Sequence, residues 1–170
     1  RSVSYTLSPC SFHPTHTVQR LPSIMSKKNP TSAIALDLDG TLTNSQKQVT
    51  ERTRQALLQA EDNGAVLILA SGRPTYGIEP VAECLQLSQR GGYILSYNGG
   101  KIVDCATGQE LYSKHLPAEV IPIIYKYARE HHHALLGYVG SDIVTEMPDD
   151  EFVHEESRIN KMNIRGVDNL

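Results

Sequence analysis

Short apolar runs alternate with amphipathic stretches along this chain. Ala33-Ile34-Ala35-Leu36 running into Asp37-Leu38 is nearly continuous in apolar residues, the pattern of a strand covered on both faces in a parallel sheet. It stops at Asp39-Gly40. Thr50 suits the cap of a helix carrying Ala56, Leu57 and Ala60 on one side, and Gly64 stands just beyond, where a left-handed residue closes a helix. Ala65–Ala70 reads as a second buried strand, Ser71-Gly72-Arg73-Pro74 as a turn, Pro80–Leu85 as a second helix and Tyr93–Tyr97 as a third strand. This βαβαβ order predicts an α/β fold built on a doubly wound parallel sheet with right-handed crossovers.

The pattern changes after Asn98-Gly99-Gly100. Lys101–Asp104 and Glu110–His115 flank a Thr107-Gly108 turn and read as an antiparallel hairpin. A helix from Pro117 to about His131 follows, then two apolar runs, Ala134–Val139 and Asp142–Thr145, separated by Gly140-Ser141, and a late strand over Ile159–Ile164. The expected organisation is a parallel core over residues 33–100 and an α+β insertion over 101–170. Residues 1–32 do not fit either part. From Arg1 to Leu36 there is no Asp or Glu, and Pro9, Pro14, Pro22 and Pro30 interrupt any helix or central strand. That stretch is expected to be a disordered leader, with Met25 as the natural start.

Composition narrows the function classes. No apolar run approaches the ~20 residues of a membrane span. The 16 Lys and Arg against 19 Asp and Glu, a formal charge of −3, lack the basic excess that would attract nucleic acid or an anionic membrane. Neither is expected as a partner. Cys10, Cys84 and Cys105 form no CxxC pair, so neither a zinc site nor a disulfide framework is indicated, and a reducing cytoplasm is the expected location.

The candidate chemistry lies at strand ends. Asp37 and Asp39 stand two residues apart where the first strand finishes, and the period of two directs both carboxylates to one side. Ligands of open α/β sheets bind outside the carboxyl ends of the strands, where this pair emerges. Adjacent carboxylates repel, so one tends to keep its proton while a cation holds the other ionised. That arrangement suits a nucleophile, Asp37, beside a general acid/base, Asp39. Gly40 permits a tight turn, and Thr41 offers a hydroxyl to the nucleophile or to phosphate.

The string Asp37-Leu38-Asp39-Gly40-Thr41-Leu42-Thr43 after an apolar strand resembles the first motif of the haloacid dehalogenase superfamily of phosphotransferases. Leu69-Ala70-Ser71-Gly72-Arg73-Pro74, one helix later, resembles its second motif, and Ser96-Tyr97-Asn98-Gly99-Gly100 resembles the turn where the Cof-like branch leaves its core for a type II, α+β cap. The resemblance implies a phosphatase acting on a small phosphorylated metabolite, such as a sugar phosphate or nucleotide, through an aspartyl-phosphate on Asp37. It implies Mg²⁺ at Asp37 and Asp39, and phosphate or substrate binding by Thr41, Ser71, Gly72, Arg73 and Asn98. The superfamily also carries a third motif, a Lys near a helix start, and a fourth, an acidic Gly-Asp-x-x-Asn-Asp loop. Lys161 and Asp149-Asp150 stand in other contexts and match neither, so the resemblance implies a fragment of a longer protein with impaired activity of its own. A phosphomutase of the same superfamily and a non-catalytic phosphometabolite-binding module are the alternatives. His131-His132-His133 is not read as a metal site, because consecutive helical side chains point about 100° apart.

Overall fold

Parallel pairing runs through the first three strands of the computed structural model. It describes residues 32–140, 142–160 and 162–166. Apart from Ser32, which opens the first strand, the expected leader and the Met25 start lie outside the described residues. Strand β1 (Ser32–Asp37) pairs with β2 (Ala65–Ala70), with Asp37 opposite Ala70, and β2 pairs with β3 (Tyr93–Ser96), with Ala70 opposite Leu95. This register brings three strand ends to one edge of the sheet. Two antiparallel strands, β4 (Lys101–Asp104) and β5 (Glu110–Ser113), extend the sheet in the order β1-β2-β3-β4-β5. The hairpin expected to open the insertion thus continues the first sheet.

Helix α1 (Glu51–Asp62) is capped as its sequence predicts, the Thr53 amide donating to Thr50 Oγ1 at 3.2 Å, and Gly64 takes φ +94° just past its end. Helix α2 (Thr75–Cys84) begins five residues before Pro80, which corrects the expectation that the helix starts there. Burial explains the difference. Ile78, Val81, Ala82 and Leu85 repeat at helical spacing and are all buried, and packing of that face outweighs the backbone hydrogen bond that an internal proline forgoes. A single-turn α3 (Leu87–Arg90) follows. Leu38, Leu57, Leu67, Leu69, Leu87 and Ile94 join the α2 face in one core.

The reading of β1 as a strand covered on both faces is also corrected. Among the described residues β1 is an edge strand, and Ala33 and Ala35 are exposed while Ile34 and Leu36 are half-buried. Its apolar run is therefore only partly covered within the described residues.

The described residues divide into two compact units, one up to Ser113 and one from Lys114. In the second, α4 (Ile121–Glu130) precedes β6 (Leu136–Val139) and β7 (Asp142–Thr145), which form the expected antiparallel pair. Helix α5 (Glu151–Asn160) then leads to β8 (Asn163–Gly166), parallel to β7. The late strand thus starts at Asn163, and Ile159 belongs to the helix. Helix α5 is started by Asp150, whose Oδ1 accepts from the amides of Phe152 at 2.9 Å and Val153 at 3.3 Å, while Asp149 and Glu151 stay exposed. Ile143, Val144, Val153, Ala128 and Met162 are the buried apolar residues of this unit, and Thr145 is buried beside them in β7.

Candidate active site

The end of β1 turns sharply around a fully buried Leu38. Its carbonyl accepts from the Thr43 amide at 2.9 Å and the Thr43 hydroxyl at 2.8 Å, while the Leu42 amide donates to the Asp37 carbonyl at 3.0 Å. Gly40 has φ +79°, a left-handed conformation that a side chain would strain. The turn leaves Asp37, Asp39 and Thr41 exposed above the core. Thr41 Oγ1 donates to Asp37 Oδ2 at 3.2 Å, a neutral donor that leaves the other carboxylate oxygen to act.

Asp39 has a different environment. Arg73 donates to it twice, Nε to Oδ2 at 2.9 Å and a terminal nitrogen to Oδ1 at 2.6 Å. Lys47 adds a third bond, Nζ to Oδ1 at 2.9 Å. Burial pushes the Asp39 pKa up, but the hydrogen bonds and positive charges of Arg73 and Lys47 outweigh it and hold the carboxyl below its ordinary range. Arg73, expected to bind phosphate or substrate, is the residue that grips Asp39, and its remaining terminal nitrogen donates to the Gly77 carbonyl at 3.2 Å. Only 9% of its side chain is exposed, so the fork is fixed from the α2 side.

The second and third strand ends are tied to each other. The Ser71 amide donates to the Leu95 carbonyl at 3.0 Å, the Asn98 amide to the Ser71 carbonyl at 3.2 Å, and the Tyr97 amide to the Arg73 carbonyl at 3.0 Å. Tyr97 and Asn98 are both left-handed, at φ +53° and +55°, and these bonds hold them in that conformation. Gly72 lets the Asn98 side chain lie close to it. A Cβ there would stand 3.0 Å from Asn98 Oδ1. Ser71 Oγ accepts from the Arg73 amide at 3.2 Å, which leaves its own proton free to rotate toward a phosphate oxygen.

The site residues thus fall into two linked groups, Asp37 with Thr41, and Asp39 with Arg73, the Ser71-Gly72 turn and Asn98. Sequence reasoning missed two contributors. Ser96, fully buried, shares a 2.8 Å hydroxyl bond with Thr75 and so fastens β3 to the start of α2; a serine one residue before a turn carries no signal of that. Lys47 was not marked by any motif, because its reach to Asp39 depends on the shape of the loop after Thr43.

A carboxylate oxygen of Asp37 and the backbone carbonyl of Asp39, hard oxygens at one turn, suit a hard dication, since both carboxylate oxygens of Asp39 are taken by Arg73 and Lys47. Among the described residues no group of three or more His, Cys, Asp or Glu could hold a metal. The three histidines make no such group: His131 stacks on Tyr127 with ring centroids 4.0 Å apart and bonds through Nδ1 to the Tyr127 carbonyl at 2.9 Å. Burial and the neighbouring Asp104 and Glu79 charges push the Cys105 thiol up to about 11, which removes it as a nucleophile. No helix among the described residues is long and apolar enough to cross a membrane.

A model of the haloacid dehalogenase-like hydrolases matches residues 34–169. The chain belongs to this family. A haloacid dehalogenase-like hydrolase from Bacteroides thetaiotaomicron, known as a crystal structure, is 48% identical and superposes with a TM-score of 0.71, covering 80% of this chain and 51% of its own. The pyridoxal phosphate phosphatase YbhA of Escherichia coli is 32% identical over 127 residues, 69% of this chain and 42% of its own. The HMP-PP phosphatase of Yersinia pestis is 34% identical over 92 residues, 54% of this chain and 32% of its own. The chain spans about half the length, or less, of these relatives. The five-stranded sheet with its flanking helices is the α/β haloacid dehalogenase fold, as the three strand-end motifs imply.

Proposed function

We propose that the protein is a phosphatase of small phosphorylated metabolites, with Asp37 as nucleophile and Asp39 as general acid and base. The observation that carries the reading is the difference between the two carboxylates. Among the described residues Asp37 accepts from a hydroxyl donor at Oδ2, so an oxygen lone pair is available for attack on phosphorus. Asp39 is oriented by a buried guanidinium fork, which fixes where its proton is given and taken. The naming of relatives as phosphatases supports hydrolysis over phosphomutase chemistry.

In the first step an Asp37 oxygen bonds to phosphorus, the ester P–O bond breaks, and the Asp39 proton passes to the leaving oxygen. In the second, water attacks the phosphorus of the aspartyl-phosphate while Asp39 takes its proton. The P–O bond to Asp37 breaks, releasing inorganic phosphate and restoring the Asp37 carboxylate beside a protonated Asp39. Ser71 and the backbone amide of Gly72 would hold phosphate oxygens, and Asn98 the substrate side. Mg²⁺ at Asp37 and Asp39 would supply positive charge to the phosphate oxygens. The grip of Arg73 and Lys47 favours the ionised Asp39 needed in the second step, so the first step requires that grip to loosen when a phosphate dianion arrives.

Release of inorganic phosphate from p-nitrophenyl phosphate by the intact protein, before and after chelation with EDTA and re-addition of Mg²⁺, tests the reading. Phosphate release that EDTA abolishes and Mg²⁺ restores is expected. No release under any of these conditions would contradict it.

A further inference from the structure

The bond from Lys47 to Asp39 is made by an unusual piece of backbone. Lys47 has φ +59°, a left-handed conformation that a residue other than glycine adopts at a cost. The loop is closed around Asn44. The Lys47 amide donates to the Asn44 carbonyl at 2.9 Å and the Asn44 amide to the Gln48 carbonyl at 2.9 Å, while Asn44 Oδ1 accepts from the amides of Gln46 at 2.9 Å and Gln48 at 3.0 Å. Buried Thr43 and Val49 anchor it on either side. A strained lysine held by its surroundings, with its ammonium on a reacting carboxylate, points to a use in the site.

That use is not the orientation of Asp39. Arg73 grips both Asp39 oxygens by itself, with 9% of its side chain exposed and a further bond to Gly77. Lys47 holds through one bond and is 43% exposed, so it is the cation that can exchange partners. In the proposed reaction the leaving oxygen must come within about 2.6–3.2 Å of an Asp39 oxygen. Lys47 Nζ is 2.9 Å from Oδ1. For a leaving oxygen at Oδ1, the ammonium is therefore within about 6 Å of it, the reach of a group one or two bonds away. A neutral group there gains little from an ammonium, whereas an anionic one gains a charge-assisted hydrogen bond.

We propose that Lys47 is a specificity-determining residue whose ammonium passes from Asp39 to an anionic substituent beside the ester oxygen, so that the phosphate esters of hydroxy acids are preferred substrates. The inference rests on the phosphatase reading above and names the class of substrate that reading leaves open.

The test compares 2-phosphoglycerate with glycerol 2-phosphate, which differ only in a carboxylate against a hydroxymethyl group beside the ester-bearing carbon. The ratio of their kcat/KM values in the intact protein should exceed one, fall by about tenfold or more in Lys47→Gln, chiefly through KM, and be largely kept in Lys47→Arg. Lys47→Gly, which suits the left-handed backbone, should show the same fall and serves if Lys47→Gln does not fold. A wild-type ratio at or below one, or a ratio unmoved in Lys47→Gln or Lys47→Gly, overturns the inference and leaves the phosphatase reading standing. Absence of turnover of either ester and of p-nitrophenyl phosphate by the wild type overturns both.

Discussion

Charge is used differently in the two units of this chain. In the unit up to Ser113, three arginines are buried or half-buried and committed: Arg54 donates through Nε to the Cys84 carbonyl at 3.0 Å, Arg73 holds Asp39, and Arg90 bridges the end of α1 through Glu61 at 2.8 Å and Asp62. In the unit from Lys114, the pairs Lys126–Glu130 and Arg129–Glu146 are 3.8 Å apart, and Arg158–Glu155 lies within one exposed helix face. The cost of burying a charge is repaid only where each hydrogen is satisfied, so the first kind of pair fixes geometry and the second mostly solvates a surface. A reaction that needs a carboxylate in one orientation has the means for it in the first unit.

The largest effect expected from this contrast is on Arg73. Arg73→Ala removes both bonds to Asp39 and frees a carboxylate that must deliver a proton, so kcat/KM for phosphate release by the intact protein should fall about 10²-fold or more. A fall of less than about threefold would mean that Asp39 needs no fixed orientation.

Next is Arg90→Ala, which leaves Glu61, only 6% exposed, without its guanidinium. A loss of about 2 kcal/mol is expected by urea unfolding at neutral pH, below the figure for fully buried pairs because Asp62 is solvated. Burial already raises the Glu61 pKa, only partly offset by Arg90. A carboxyl whose folded pKa exceeds its unfolded one favours the folded state below the unfolded pKa, and that contribution is lost as pH rises through the folded pKa. The deficit of Arg90→Ala should therefore shrink as pH falls through the acidic range in which Glu61 is protonated. A deficit that grows on acidification would contradict the assignment.

Gly72→Ala should have a smaller effect. The added Cβ meets an amide tip that can turn away, so stability should change by about 1 kcal/mol or less, while KM rises as Asn98 leaves its position. At the low end, Arg129→Ala and Arg158→Ala should each shift stability by no more than about 0.5 kcal/mol, since both arginine side chains are largely exposed. A larger loss in either would erase the distinction between the two units.

Much of this was legible in the sequence where local chemistry and periodicity agree. Asp37-Leu38-Asp39-Gly40-Thr41 needs a glycine at φ +79° to turn and an apolar Leu38 to bury, and the string states both. Where a local rule and packing conflict, packing prevailed. Pro80 marks a helix boundary by its missing amide, yet the Ile78, Val81, Leu85 face carried α2 through it. Ile159 continues an apolar run into Met162 and Ile164 but is held in α5 by the helix that Asp150 starts. The apolar composition of β1 reads as double coverage, whereas coverage depends on neighbouring strands that composition does not reveal. Lys47 lay beyond sequence reasoning altogether, since its position follows from a left-handed turn closed by Asn44 and from no spacing of charged residues.

The central claim is that Asp37 and Asp39 divide the chemistry, and acid-quench trapping of the intact protein with ³²P-labelled substrate tests it most directly. Wild type should yield an acid-stable, alkali-labile phosphoenzyme that maps to Asp37. Asp37→Asn should yield none, because an amide is a poor nucleophile, and with ³²P-labelled p-nitrophenyl phosphate, whose leaving group departs without a proton, Asp39→Asn should accumulate it as the second step slows by about 10²–10⁴-fold. Label on any residue other than Asp37, or a phosphoenzyme that survives in Asp37→Asn, would contradict the account.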